Sequence, residues 1–333
     1  MNPNIYFHLG YPKAASTTIQ KSLLYNHSDI INLGSFPRAN VGIDDIKSSG
    51  SKPAYVEKDE RIRKLYKMLF HEQPTHYSKT KAAKLFNSIL IDYISGCKPV
   101  FFSSEFALSA RFSLPDIVEK IRRVSDLGHS IKIIIIIRSQ QDLLLSLYRD
   151  HPFDPFLLAR RRKYVTLNDF IDIDSATPFY SHCSSLDYFS LYKVLMSLFP
   201  ADNILILPME MMKEDLIKFS NRLASFCSLE NESVYSLLKS QHHNQGSTLS
   251  YNCIRRIASF VAPLRKYIPA FIEGLLIVQY KKLLGIAQYL GAKQKLKFSQ
   301  NSLRYIEATF GESNTKLSKV LSIDLGDFGY PVD

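Results

Sequence analysis

Apolar residues recur along this chain in two rhythms. Short continuous runs at 5–9 (IYFHL), 99–103 (PVFFS) and 203–207 (NILIL) have the length and bounding residues of strands. The run at 131–138, IKIIIIIR, is β-branched and too continuous for a half-exposed strand, which predicts a central parallel strand covered on both faces. Elsewhere apolar residues return every three or four positions. Ile62, Leu65, Tyr66 and Leu69 predict a helix over 58–71, and Ala82, Leu85, Phe86, Ile89 and Tyr93 a second over 78–95. Leu114–Leu127 reads as a helix with Pro115 in its first turn and Gly128 just past its end. Further helices are expected at about 140–150, 186–198 and 214–227.

Strands alternating with helices of this length predict an α/β fold of three layers, a central parallel sheet flanked by helices. The segment 36–57 is rich in Gly, Pro and Ser and is expected to be a surface excursion. No repeat or low-complexity linker divides the chain. The expectation is a single domain over 1–333, with a core at 1–35 and 98–230, a helical insertion at 37–97 and a basic helical part at 240–333.

Composition adds a size and a sign. With 333 residues, 46% of them hydrophobic and 22% charged, the chain has material for a sizeable core and is not a disordered protein. The net charge of +11 favours an anionic partner: nucleic acid, phosphorylated cofactor, acidic glycan or membrane surface. The four cysteines (Cys97, Cys183, Cys227, Cys253) have neither metal-type spacing nor a dense disulfide pattern, and read as free thiols in a reducing compartment. The first twenty residues lack the features of a signal peptide, and no run reaches the ~18 apolar residues of a membrane span. A cytoplasmic protein is expected.

Chemistry concentrates just after the first predicted strand. Gly10-Tyr11-Pro12-Lys13-Ala14-Ala15-Ser16-Thr17-Thr18 joins that strand to an apolar-periodic segment through Ile19, Leu23 and Leu24. A loop between a strand's carboxyl end and a helix start offers unpaired N–H groups and a positive dipole end to an anion. Three hydroxyls add donors and Lys13 adds a point charge. The bland alternative is a solvated lysine beside residues that only cap a helix. A Walker loop would require Gly and Lys where Ala15 and Ser16 stand, so a Walker-type hold on Mg-bound phosphates does not fit. A second candidate is Arg138, at the end of the isoleucine run, with Ser146 eight residues later. Arginine presents a fork to a phosphate dianion, and a hydroxyl completes the coordination.

Taken together, these segments resemble sulfotransferases that use 3′-phosphoadenosine 5′-phosphosulfate (PAPS). Gly10-Tyr11-Pro12-Lys13-x-x-Ser16-Thr17 looks like the family's 5′-phosphosulfate loop, with Ala15 where the family commonly has glycine. Arg138 to Arg149, with Ser146-x-Tyr148-Arg149, is similar to its 3′-phosphate motif, although Ser139-Gln140 replaces the usual Asn-Pro. The ending from Glu312-Ser313-Asn314 to Gly329-Tyr330-Pro331 looks like that of bacterial, glycan-type members. The resemblance implies the P-loop-like sulfotransferase fold, PAPS as donor without a metal, and a hydroxyl of a carbohydrate or glycolipid as acceptor. Lys13, Ala14, Ala15, Ser16, Thr17 and Thr18 would hold the 5′ end, and Arg138 and Ser146 the 3′-phosphate. Asn244, Ser247 and Arg255 would lie in a loop that closes over the nucleotide.

Sulfuryl transfer needs a cation at the leaving oxygen and a base for the acceptor hydroxyl. Lys13 matches the family's cation. Glu105, directly after the strand at 99–103, is the first choice of base, its alternative role being to cap the next helix. His151 is the runner-up, its alternative being a histidine favoured by a helix C-terminus. His8 reads as a satisfied core histidine. His242-His243 has no carboxylate or cysteine nearby and is not a metal site.

Most of the charge excess lies at 251–300, nine basic residues against Glu273. Within it, 270–290 places Ile272, Leu275, Leu276, Leu283, Ile286, Ala287 and Leu290 on one helical face. That face is either core or a surface that meets an anionic membrane at its inner, cytoplasmic side. Two rivals remain: a P-loop nucleotide or small-molecule kinase, opposed by the loop register, and a non-catalytic polyanion binder supported by charge alone. No nucleic-acid motif is present.

Overall fold

A computed structural model describes residues 4–34, 59–94, 98–105, 107–108, 114–128, 130–150, 167–168, 170–171, 183–239, 278–280, 282–283, 286 and 297–333. Its contacts group into two units: 1–140 with 177–243 and 306–333, and 141–176 with 244–305.

The first unit holds a five-stranded sheet in the order β2-β3-β1-β4-β5. The strands are β1 (Ile5–Leu9), β2 (Ile31–Asn32), β3 (Val100–Ser104), β4 (Ile131–Ile137) and β5 (Ile204–Pro208). Every pairing is parallel. The expected α/β class therefore holds, with four of the strands where the apolar runs lie. The edge strand β2 is only two residues long, too short to leave a periodic signature in the sequence. Ile131 and Ile133–Ile137 are buried, as a strand covered on both faces requires.

Parallel register sets the core. It pairs Tyr6 with Phe101 and Phe7 with Phe102, and the rings stack at 4.7 and 4.8 Å on opposite faces of the sheet. On the Phe7 side, α1 (Glu60–Phe70) and α2 (Lys79–Tyr93) supply Tyr66 and Phe86, whose rings lie 6.3 and 5.3 Å from Phe102. The Tyr66 hydroxyl accepts the Ser103 backbone N–H at 2.9 Å, which fixes the insertion to the sheet. Side-chain acceptors start both helices: Asp59 takes the Arg61 N–H and Ser78 the Lys81 N–H. On the Tyr6 side, Phe226 of the helix Leu216–Cys227 meets Tyr6 edge-on at 6.0 Å.

A fully buried arginine joins the insertion to α3 (Leu114–Ser125). Arg123 donates to Glu119 and to the carbonyls of Met68 and Glu72, and lies 4.6 Å over the Tyr77 ring. These partners replace the water that the guanidinium loses.

In the second unit, Tyr148 packs its ring 5.8 Å from Phe170. Asn168 accepts from the Ser299 N–H and the Ser302 hydroxyl, each at 3.2 Å. Val278, Leu283 and Ile286 are helical, yet 50–56% exposed. At these positions the apolar pattern of 270–290 is not a core face. Among the described residues no helix is long and apolar enough to cross a membrane.

Candidate active site

Two neighbouring strands, β1 and β4, send their chains to opposite sides of the sheet, β1 toward β2 and β4 toward β5. At such a switch point the strand ends part and leave a crevice for a ligand. Both principal sequence candidates leave from here.

The loop after β1 is tightly folded on itself. The Gly10 N–H donates to the Ser104 carbonyl at 3.0 Å, extending the β1–β3 ladder by one bond. A Cβ at Gly10 would stand 2.2 Å from Ser16 Oγ, so only glycine permits this closure. The Ala14 N–H and the Ser16 hydroxyl both donate to the Tyr11 carbonyl, at 3.2 and 3.1 Å. Tyr11 is buried, and its hydroxyl reaches the Ser185 carbonyl at 2.8 Å.

Lys13 and Ala15 both have positive φ, 70° and 58°. Left-handed residues among right-handed ones turn successive N–H groups toward a common point, the geometry of an anion nest. A helical turn, Ser16–Thr18, then runs on as a π-helical stretch, Ile19–Leu24. Ala15, at the cap, makes no side-chain hydrogen bond to the helix start. The first N–H groups of the helix are thus not capped by Ala15, as an oxyanion site requires. Ala15 also occupies the position where the resembled pattern has glycine. Its φ supplies the physical reason for that glycine, since a left-handed alanine costs ~1–2 kcal/mol.

Arg138 follows β4 directly. Its Nη1 donates to the Lys13 carbonyl at 3.0 Å across 125 residues of sequence, and its own carbonyl accepts the Tyr188 hydroxyl at 2.7 Å. Arg138 and the Lys13 loop, read independently from the sequence, are therefore brought together at one switch point. Glu105 lies one residue beyond β3, whose last residue, Ser104, is in register with Leu9. The candidate base and the loop so leave adjacent strand ends, and Glu105 is half-buried.

A polar cluster lies beneath the loop. His8 Nδ1 is 2.8 Å from Ser103 Oγ, which also accepts Gln20 Nε2 at 2.9 Å. His8 is 1% exposed, and its Nε2 has no partner among the described residues. The core histidine expected from the sequence is thus satisfied at one ring nitrogen only. Burial pushes its pKa down to about 4.

A family profile for the sulfotransferase domain matches residues 60–253, more than half of the chain. The chain belongs to the sulfotransferase family. The matched stretch includes Glu105, Arg138 and Ser146, whereas the loop with Lys13 lies ahead of it. Among solved structures, a sulfotransferase from Alicyclobacillus acidocaldarius is similar over 99% of both chains, with 14% identity and a TM-score of 0.51. This likeness shows the sulfotransferase fold. A mouse sulfotransferase crystallised with PAP covers 74% of this chain and 68% of its own, at 13% identity and a TM-score of 0.39. A search of curated proteins gives no match.

Other candidates of this sulfotransferase belong to the second unit or lie outside the described residues. Ser146 is half-buried on α4 (Gln140–Asp150) and belongs to the second unit. His151, Asn244, Ser247 and Arg255 lie outside the described residues. Sequence reasoning missed Tyr188 and Gln20, whose partners stand 50 and 83 residues away and leave no local motif. Among the described residues no group of His, Cys, Asp and Glu could hold a metal ion.

Proposed function

We propose that this sulfotransferase moves a sulfuryl group from PAPS to a hydroxyl of a carbohydrate, within a cell-surface glycan or glycolipid. The observation that carries the reading is the joining of the Lys13 loop to Arg138 at the switch point, in a chain of the sulfotransferase family. A loop with two left-handed residues, a helix start and a lysine suits a phosphosulfate; an arginine fork at the neighbouring strand end suits a second anionic group on the same nucleotide.

When bound, PAPS supplies the sulfuryl group, whose bond to the bridging phosphate oxygen breaks as the bond to the acceptor oxygen forms. In this reading Lys13 neutralises charge on the leaving oxygen, and loop N–H groups with Thr17 and Thr18 hold the 5′ anion. Arg138 binds the 3′-phosphate. Glu105 takes the acceptor proton, with His151 as the alternative base. Ser16, whose hydroxyl donates to the Tyr11 carbonyl, holds the loop closed. The carbohydrate assignment rests on the resemblance of the Glu312–Pro331 ending and on the excess of basic residues.

Thermal-shift measurement with 3′,5′-adenosine bisphosphate, ATP-Mg and duplex DNA tests the reading. Stabilisation is expected from the bisphosphate alone, and its absence would overturn the assignment. Transfer of labelled sulfate from PAPS to a panel of sugars then identifies the acceptor.

The stretch 251–300 supports contact with an anionic membrane. Val278, Leu283 and Ile286 are exposed beside an exposed Lys282, in a segment with nine basic residues and one acid. The buried thiol of Cys227 suits a cytoplasmic location, with this segment at the inner membrane face. Pelleting with phosphatidylglycerol vesicles at low salt is expected, and failure to pellet would remove this part.

A further inference from the structure

The C-terminal segment lies far from the nucleotide motifs in sequence, yet the structure bonds it to the residues that carry Arg138. Ser139, next to Arg138, donates its backbone N–H to Glu210 Oε1 at 3.2 Å. The other oxygen of that buried carboxylate accepts the Tyr330 hydroxyl at 3.0 Å. One residue on, Gln140 and Asn314 exchange two amide hydrogen bonds of 3.0 Å. Both side chains are fully buried and stand 174 residues apart. Their remaining donors are also used: Gln140 reaches the Leu186 carbonyl at 3.2 Å and Asn314 the Pro331 carbonyl at 2.8 Å.

The same parts return to the phosphate loop. The Tyr330 ring meets Tyr188 edge-on at 6.4 Å, and Tyr188 meets Tyr11 edge-on at 5.3 Å. Tyr11 is two residues from Lys13, whose carbonyl Arg138 holds. The circuit therefore closes: Lys13, Arg138, Ser139, Glu210, Tyr330, Tyr188, Tyr11 and back to Lys13. Ser313 adds a tie beside it, donating to Asp187 at 2.6 Å and accepting the Phe189 N–H at 3.3 Å.

We propose that the C-terminal segment is a working part of the nucleotide site, with Asn314 and Tyr330 as positioning residues that set Arg138 and, through it, the phosphate loop. The inference rests on the proposed nucleotide reading for its ligand, and on the circuit of hydrogen bonds and ring contacts alone for its mechanics. The physical reason is one of stiffness. Arg138 leaves the end of a strand, and nothing in the strand ladder beyond Ile137 fixes its backbone. Satisfied buried bonds on both following residues hold that backbone, because breaking any of them strands a polar group without water.

Two measurements on the whole chain test this. In the first, Tyr330→Phe and Asn314→Leu are compared with wild type by amide hydrogen exchange of the peptides covering 11–20 and 138–140. Faster exchange in both peptides is expected; loosening confined to the C-terminal segment would overturn the proposal whatever the protein binds. In the second, affinities for 3′,5′-adenosine bisphosphate and 5′-adenosine monophosphate are measured by calorimetry. Tyr330→Phe is expected to weaken the bisphosphate about tenfold and the monophosphate, which lacks the phosphate that Arg138 would hold, by clearly less. In an Arg138→Ala background the same substitution is expected to have no further effect. A variant that loses melting temperature but keeps the wild-type affinity ratio marks Tyr330 as a structural residue only, and refutes the positioning role. Wild type failing to bind the bisphosphate while the exchange coupling persists refutes the nucleotide reading and leaves the mechanical coupling supported.

Discussion

Acid should weaken this fold through one histidine under the loop. His8 is 1% exposed, and burial holds its pKa down to about 4 against 6.5 for the ordinary imidazole. The folded protein keeps this ring neutral, whereas the unfolded chain takes up a proton as pH falls through 6.5. The sign follows: the stability contribution is fully present above the unfolded value and is lost as pH falls toward the folded one. The full gap is worth ~3 kcal/mol, and lowering the pH from about 7.5 to about 5 should cost ~2 kcal/mol. Burial also lowers the pKa of His27 and His71, so the total slope is shared. A paired comparison with His8→Asn isolates the term, because asparagine retains an amide near the Nδ1 position to meet Ser103. Urea unfolding of both proteins across this pH range provides the measurement. The wild type should lose ~2 kcal/mol more than the variant. Parallel stability curves would show that His8 is not held neutral by burial, and the reasoning would fail.

Four further outcomes are expected. Ala15→Gly should raise stability by ~0.5–1 kcal/mol in urea unfolding, since it relieves a left-handed alanine at φ 58°; a loss would contradict that conformation. Gly10→Ala should destabilise by ~2 kcal/mol and be partly rescued by Ser16→Ala, because the new Cβ meets Ser16 Oγ at 2.2 Å. Lys13→Ala should lower kcat by ~100-fold or more with a near wild-type melting temperature, since its hydrogen bond to Arg138 uses the backbone carbonyl; wild-type turnover would remove Lys13 from the chemistry. Arg138→Ala should raise the KM for PAPS by ~10-fold or more, through the lost phosphate fork and the lost tie to Lys13, and an unchanged KM would oppose its nucleotide role.

The fold was legible because its elements are locally encoded. The isoleucine run could only be an interior strand, and helices at 60–70 and 79–93 follow directly from Ile62, Leu65, Tyr66 and Leu69 and from Ala82, Phe86 and Ile89. β2 escaped because two residues carry no period. The apolar pattern at 270–290 could not tell core from surface, since periodicity states that a face is apolar without naming what covers it. Exposure of Val278, Leu283 and Ile286 decided the matter at those positions.

The candidate site divides in the same way. By itself, the sequence determined the chemical parts: a lysine loop after a strand, an arginine at the next strand's end and an acid after a third. Each is a short-range pattern, fixed by the geometry of a strand end and a helix start. Only tertiary structure decided that Arg138 meets the Lys13 loop, because strand order brings β4 beside β1 and no spacing along the chain encodes that order. It alone joined Gln140 to Asn314, Ser139 to Glu210 and Glu210 to Tyr330. Such residues look like ordinary polar positions in sequence, and burial gives their hydrogen bonds strength and direction only once the chain has folded.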